Sequence, residues 1–302
     1  MRVILKCVMG LVALVATTAA GAQSVRPGVL LLAHGGAAQW NERVLAVAKS
    51  VDQTQPTEVA FGMASRAAIQ SAIDKLIARG VTEIVAVPLF VSSHSSVITS
   101  TEYLLGLRQD APADLKLFAK MDHSKHGAPA DDHAAHAAAA DPASPVTRTV
   151  PVRMTPAFNR HPLIAEIVAD RARSVSTAPA NEAVILVAHG PVPDDDNRRW
   201  LADMAVLAEQ VKAAAPFASV DYMTVRDDAG PEMRELATRD LRDRVEKQTA
   251  AGRRVLIVPH LMSFGGIEQG IRKRLEGLTY SMTEQALMPD DRIVEWVRLS
   301  AR

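Results

Sequence analysis

The amino-acid sequence predicts an α/β protein made of two similar lobes, each a parallel sheet flanked by helices, with a cleft between them. Two observations carry that prediction. Residues 29–36 read VLLLAHGG, an apolar run closed by a histidine and two glycines, and residues 184–190 repeat it as VILVAHG, with the histidine 155 positions later. Around both copies, short continuous apolar runs alternate with stretches whose apolar residues recur every three or four positions. That is the signature of doubly covered strands alternating with amphipathic helices.

The first lobe spans residues 27–155. After the strand at 29–33, Val44, Leu45, Ala48 and Val51 form the apolar stripe of a helix over 39–51. Residues 58–63 (EVAFGM) make a second strand. Ser65 caps a helix that carries Ile69, Ala72, Ile73, Leu76 and Ile77 and stops at Gly80. Residues 83–90 (EIVAVPLF) make a third strand, with Pro88 near its exit. A helix around 100–107, a short segment at 114–119 and a strand-like run at 148–154 follow. Ligands of such sheets bind beyond the C-terminal ends of the strands. His34 stands at one of those ends, and His94, among the serines at 92, 93, 95 and 96, follows another, so both point to one rim. Residues 121–141, MDHSKHGAPADDHAAHAAAAD, carry nothing apolar larger than alanine after Met121 and form an exposed insert.

The second lobe spans 156–302 and repeats the order of elements. His161-Pro162 opens a helix bearing Leu163, Ile164, Ile167 and Val168, and 184–188 is the second copy of the opening strand. Asn41 and Asn197 follow the two strand-end histidines, beside Trp40 and close to Trp200. A helix runs through Leu201, Met204, Leu207, Ala208 and Val211, followed by a strand at 219–225 and a turn at 227–231. Pro231 suits the first position of a helix whose buried face is Met233, Leu236, Ala237, Leu241 and Val245. Residues 254–259 (RVLIVP) match 83–88 (EIVAVP), Phe264-Gly265-Gly266 leads into a helix with Ile267, Ile271 and Leu275, and 292–297 reads as a closing strand.

Composition removes several classes of function. Lys plus Arg and Asp plus Glu both number 34, so nothing directs the chain to nucleic acid or to an anionic membrane surface. Arg2 and Lys6 flank the start of an apolar segment at 7–15, and Ala20 and Ala22 end the stretch in an A-x-A arrangement. This is the pattern of a secretory signal peptide over 1–22, cleaved after Ala22 and implying export to the periplasm. Its apolar core is short for a membrane span. Cys7, the one cysteine, falls within it, so the mature chain has no thiolate for a disulfide, an iron–sulfur cluster or a zinc site. Any metal must be held by His, Asp or Glu.

Four histidines lie near strand exits: His34, His94, His189 and His260. Neutral imidazole suits cobalt, nickel, zinc and ferrous ions, and it titrates near neutrality. His34 with His94 is the stronger pair because both belong to one lobe and one rim. Two histidines leave most of a coordination sphere open, which fits transient handling of an ion. His189 and His260 are weaker candidates, as are His123, His126, His133 and His136 in the insert, which either gather ions or sit in a solvated linker. Glu102 is the nearest acidic residue after His94. Asp194, Asp195 and Asp196 crowd the loop after His189, as a solvated turn or as an attractor of cations. There is no G-x-G-x-x-G, no phosphate-binding loop with lysine and no G-x-S-x-G elbow, so nucleotide use and serine hydrolysis are disfavoured.

With LLLAHGG and Asn41, GVTEIVAVPLFVSSHS, HPLIAEIVADRA, VILVAHG and RRVLIVPHLMSFGGIEQGI in place, the chain resembles the sirohydrochlorin cobaltochelatase/ferrochelatase family, the ATP-independent class II chelatases. The resemblance covers nearly the whole mature chain apart from the insert. It implies two flavodoxin- or Rossmann-like lobes in one monomeric chain. It also implies insertion of Co2+, Fe2+ or Ni2+, as substrate, into a tetrapyrrole held between them, with no nucleotide. The family's metal-handling histidines fall on His34 and His94, and Ser92, Ser95, Arg198 and Arg199 would meet the macrocycle's carboxylates. The chain has Gly36 where the family has serine, Val97 where it has a carboxylate three residues after the loop histidine, and Ile267 where a matching histidine of the second lobe would stand. An exported, non-catalytic metal- or tetrapyrrole-binding protein is the alternative.

Overall fold

The apolar runs become the central strands of two sheets. The computed structural model describes residues 25–120 and 141–302; the segment 1–22 and the histidines at 123, 126, 133 and 136 lie outside them. The first lobe runs β1 (Pro27–Ala33), α1 (Ala38–Asp52), β2 (Thr57–Phe61), α2 (Arg66–Ala78), β3 (Glu83–Pro88), α3 (Ser96–Leu104), the single turn α4 (Leu115–Phe118) and β4 (Val152–Met154). After α5 (Pro162–Arg173) come β5 (Glu182–Ala188), α6 (Asp194–Ala214), β6 (Ser219–Thr224), α7 (Pro231–Ala250), β7 (Arg254–Pro259), α8 (Ile267–Arg274), β8 (Ser281–Met282) and α9 (Asp291–Ser300). The sheets are four-stranded, ordered β2-β1-β3-β4 and β6-β5-β7-β8, with all pairs parallel.

The repeat extends to single hydrogen bonds. Leu89 N–H donates to the Leu32 carbonyl and His260 N–H to the Val187 carbonyl, each at 2.8 Å. Phe158 and Asn159 donate to Phe90 and Val91, as Leu287 and Met288 donate to Leu261 and Met262. Leu89 and His260 therefore occupy the same place in the two lobes, and α3 and α8 begin the same number of residues after it.

Side-chain alternation sorts each strand between two cores. Leu30, Leu32, Ile84 and Ala86 face outward onto Ile69, Ile73 and Leu76 of α2. Ile185, Val187, Val255 and Ile257 do likewise with Leu241 and Val245 of α7. The inner faces, Val29, Leu31, Val85 and Val87 with Val184, Leu186, Leu256 and Val258, share one core with α1, α5, α6 and α9. α5, which opens the second half, packs on α6 and β7, and the last helix, α9, reaches back to α1 of the first lobe. Phe158 and Trp296 meet edge to face at 4.4 Å, and Arg298 donates to the Ser50 carbonyl at 2.7 Å. The lobes are thereby joined, and side chains from their strand exits face each other.

Several sequence expectations change: Leu45 and Leu236, expected on buried helix faces, are 47% and 45% exposed at the edges of those faces. Residues 292–297 are helix, not strand, because Ile293, Trp296 and Val297 are buried at i, i+3 and i+4, and the Asp290 carboxylate accepts the Arg292 N–H as an N-cap. Asp194–Asp196 are not in a loop but in the first turn of α6, where negative charge suits the helix dipole, and Asp194 pairs with Arg226 at 2.7 Å. The helix expected around 100–107 starts at Ser96, capped by Ser95. Among the described residues no helix is long and apolar enough to cross a membrane.

Candidate functional site

His34 is the first residue after β1. Gly35 follows at φ +81°, a conformation that glycine adopts without strain, and turns the chain sharply. Its carbonyl lies 2.7 Å from His34 Nδ1. A carbonyl can only accept, so Nδ1 carries the proton and Nε2 is the nitrogen with a lone pair to offer an ion. Buried Asn41 fixes the next residue from both sides: its Oδ1 accepts the Gly36 N–H at 2.9 Å and its Nδ2 donates to the Gly36 carbonyl at 3.1 Å. A Cβ at position 36 would sit 3.3 Å from Cγ of Trp40, a tight contact that a serine would relieve only by a small shift of the ring.

His94 sits in the loop between β3 and α3, which is braced throughout. Its N–H donates to Oγ of buried Ser92 at 3.1 Å, Ser93 N–H donates to Asn159 Oδ1 at 2.7 Å, and Ser93 Oγ accepts the Ala157 N–H at 2.9 Å. Ser95 is occupied as the cap of α3. The His94 ring points across to the other lobe, where Nε2 lies 3.4 Å from Oδ2 of Asp203 on α6. Asp203 Oδ1 lies 3.9 Å from Arg160 Nε, while Oδ2 is buried and accepts no hydrogen bond. In the reverse direction, Arg43 of α1 donates to Ser263 Oγ, in the loop after β7, at 2.6 Å.

Asp203 was not singled out from the sequence, yet it carries a readable signal. The buried face of α6 is Trp200, Asp203, Met204, Leu207, Ala208 and Val211, so an acidic residue occupies a core position of an apolar stripe.

The second lobe holds its histidines differently. His189 follows β5, with Nε2 3.4 Å from Oδ2 of the exposed Asp228. Gly190 at φ +77° lies so close to Thr224 that a Cβ would come 2.5 Å from the threonine's own Cβ, and Thr224 Oγ1 donates to Asn197 Oδ1 at 2.7 Å. His260 is turned into the protein: only 1% exposed, with no hydrogen-bond partner for either ring nitrogen and a pKa pushed by burial down to about 4. By the hydrogen-bond register the position matching His94 is Gly265, not Ile267, which instead matches Ser96 as the first residue of its helix. Arg198 and Arg199 are exposed at the start of α6, where Arg198 pairs with Asp195, and Glu102 is half-buried on α3. Among the described residues no three His, Cys, Asp or Glu side chains gather as a ready metal cage.

Two parallel sheets with matching strand-end histidines, joined through packed helices, define a two-lobed protein of the chelatase-like class. Residues 28–175, the stretch from β1 through α5, match the family model CbiX, that of the sirohydrochlorin chelatases. No curated protein matches the chain. Its fold is similar to that of SirB from Bacillus subtilis with Fe3+, with a TM-score of 0.59 at 16% identity over 91% of this chain and 96% of that one. It is similar too to the sirohydrochlorin chelatase SirB from Bacillus subtilis subspecies spizizenii in complex with cobalt (TM-score 0.54, 14% identity, 91% and 95% covered). DR2241 from Deinococcus radiodurans, a multi-domain protein with structural similarity to chelatases, aligns with a TM-score of 0.52 at 18% identity over 92% of this chain and 55% of its own. At these identities the likeness is one of fold.

Proposed function

We propose that the chain inserts a divalent metal ion, Co2+, Fe2+ or Ni2+, into a tetrapyrrole without using a nucleotide, and that it does so after export to the periplasm. The observation that carries this reading is the family match over 28–175, which contains both His34, at the exit of β1, and His94, at the exit of the adjacent β3. His34 offers Nε2 because Nδ1 is committed to the Gly35 carbonyl. His94 is held by Ser92 and faces the opposite lobe. The metal ion is a substrate here, so a partly filled coordination sphere is an advantage: open positions let macrocycle nitrogens replace water one at a time. Two pyrrole N–H protons must leave for each divalent ion that enters, and histidine or carboxylate groups at the rim are the bases within reach.

The test is an insertion assay with the mature chain, followed by the absorption change of the macrocycle, across several metals and tetrapyrroles. Wild type should turn over, and His34→Ala and His94→Ala should each abolish turnover while the chain stays folded. Stoichiometric metal binding with no turnover on any tetrapyrrole would reject the proposal. It would favour the second reading, an exported carrier, which the histidines at 123, 126, 133 and 136 support.

A further inference from the structure

We infer that the metal-ion seat is split between the lobes, with His94 Nε2 and Asp203 Oδ2 as two ligands of one divalent ion. The inference rests on the reading of this chain as a metal handler, but not on turnover. Spacing is the first argument. The two atoms are 3.4 Å apart, longer than the ~2.7–3.2 Å of an N–H···O hydrogen bond. Two donors each about 2.1 Å from a tetrahedral ion lie about 3.4 Å from each other. The pair is spaced as ligands are spaced across an ion.

Burial is the second argument. Asp203 is 8% exposed, and its Oδ2 is enclosed with no hydrogen bond to accept. A buried carboxylate oxygen that accepts no hydrogen bond and has only the His94 ring at 3.4 Å beside it is costly, and a cation between the two would offset that cost. Residue type agrees, since a neutral imidazole and a carboxylate together suit Co2+, Fe2+ or Zn2+. His94 keeps 31% of its side chain exposed, so the seat has an entrance from solvent. Arg160, 3.9 Å from Oδ1, offsets part of the carboxylate charge and keeps the ion weakly held, as a substrate ion must be. The His189–Asp228 pair has the same 3.4 Å spacing, but Asp228 is 70% exposed and its carboxylate is open to solvent, so it lacks the second argument.

The carboxylate of the seat belongs to the opposite lobe from the histidine. The second lobe contributes it across the rim, so an ion on this seat bridges the lobes and senses their separation.

Cobalt binding tests the assignment. Full-length protein would be titrated with Co2+ by calorimetry and visible absorption, in a background with His123, His126, His133 and His136 replaced by Asn. Asp203→Asn and His94→Ala should each weaken binding by at least about tenfold, as loss of a ligand does more than loss of a supporting contact. Asp203→His should keep binding within a few-fold of wild type and shift the Co2+ visible bands, because a nitrogen replaces an oxygen. Urea midpoints report folding, and if Asp203→Asn does not fold, the spectrum of Asp203→His decides. Wild-type affinity in Asp203→Asn, or weakening by Asp203→His equal to that of Asp203→Asn, would overturn the inference, as would no Co2+ binding by the parent. A chain that binds Co2+ through both residues yet inserts it into no tetrapyrrole would reject the proposed reaction and leave the seat standing. Turnover that persists alongside normal binding by Asp203→Asn would do the reverse.

Discussion

His260→Leu should stabilise the protein and remove an acid sensitivity built into the second lobe. The imidazole is buried, neither nitrogen has a hydrogen bond, and burial depresses its pKa from 6.5 to about 4. Because the folded pKa lies below the unfolded one, the folded state binds the proton less readily. Its stability is intact above pH 6.5 and falls as pH drops through the interval down to about 4. Linkage over that interval gives a loss of about 2.5 kcal/mol at about pH 4.5 and close to none near pH 7.5. Leucine is the residue that the first lobe places at the equivalent position, Leu89, on the same 2.8 Å backbone bond. Replacing two unpaired buried nitrogens by a side chain of similar size should add about 1–2 kcal/mol at neutral pH. The assay is urea unfolding of wild type and variant near pH 7.5 and near pH 4.5. The stability gain should be larger at the lower pH by about 2.5 kcal/mol. A gain or loss of the same size at both pH values would refute the reasoning, since it would mean that His260 is protonated equally in the folded and unfolded states.

Burial alone would raise the Glu182 carboxyl, but hydrogen bonds from Ser176, the Thr177 N–H and Arg254 hold it at about 2, so its contribution is present above pH 4.5 and is lost as pH falls towards 2. Glu182→Gln should cost about 3 kcal/mol near neutral pH, read by urea midpoint, and should flatten the acid limb. Gly190→Ala combines φ +77° with a Cβ placed 2.5 Å from that of Thr224 and should cost at least about 2 kcal/mol, read from the melting temperature. Arg160→Ala removes the charge beside Asp203 and should tighten Co2+ binding by roughly two- to fivefold by calorimetry, an effect that salt diminishes, because the guanidinium is largely exposed.

The central strands and the long helices were legible because their signal is local. VLLLAHGG and VILVAHG state a buried strand and its sharp end within a few residues, and Ile69, Ile73 and Leu76 state the buried face of α2. Residues 292–297 were misread because a short apolar run fits either period. The deciding facts, the spacing of Ile293, Trp296 and Val297 and the cap from Asp290, lie at its edges. The packing of the last helix was illegible altogether: nothing near Trp296 says that it meets Phe158, more than a hundred residues earlier. Of the candidate site, His34 and His94 were legible as strand-end histidines. The partner of His94 was not, because Asp203 is more than a hundred residues away in sequence and meets it only once both lobes have folded.

The two lobes share a topology, and at the rim they have diverged in complementary ways. After β3 the first lobe buries Leu89 and presents His94; after β7 the second buries His260 and places Gly265 where His94 would be. In the matching loop of the second lobe Arg43 of α1 donates to Ser263, two residues before Gly265, so a cation close to that contact would be repelled by the guanidinium. The first-lobe loop instead faces the Asp203 carboxylate of α6, where a cation is attracted. On the seat inferred above, the charge of the opposing helix favours a cation at the first-lobe rim and disfavours one at the second. If that is the cause of the asymmetry, charge reversal should transfer it. Adding His at Gly265 alone should leave Co2+ stoichiometry unchanged, whereas Gly265→His with Arg43→Asp should add a second binding event in calorimetry. A second event in the single variant, or none in the double variant with its fold intact, would show that the opposing charge does not decide which rim accepts the ion.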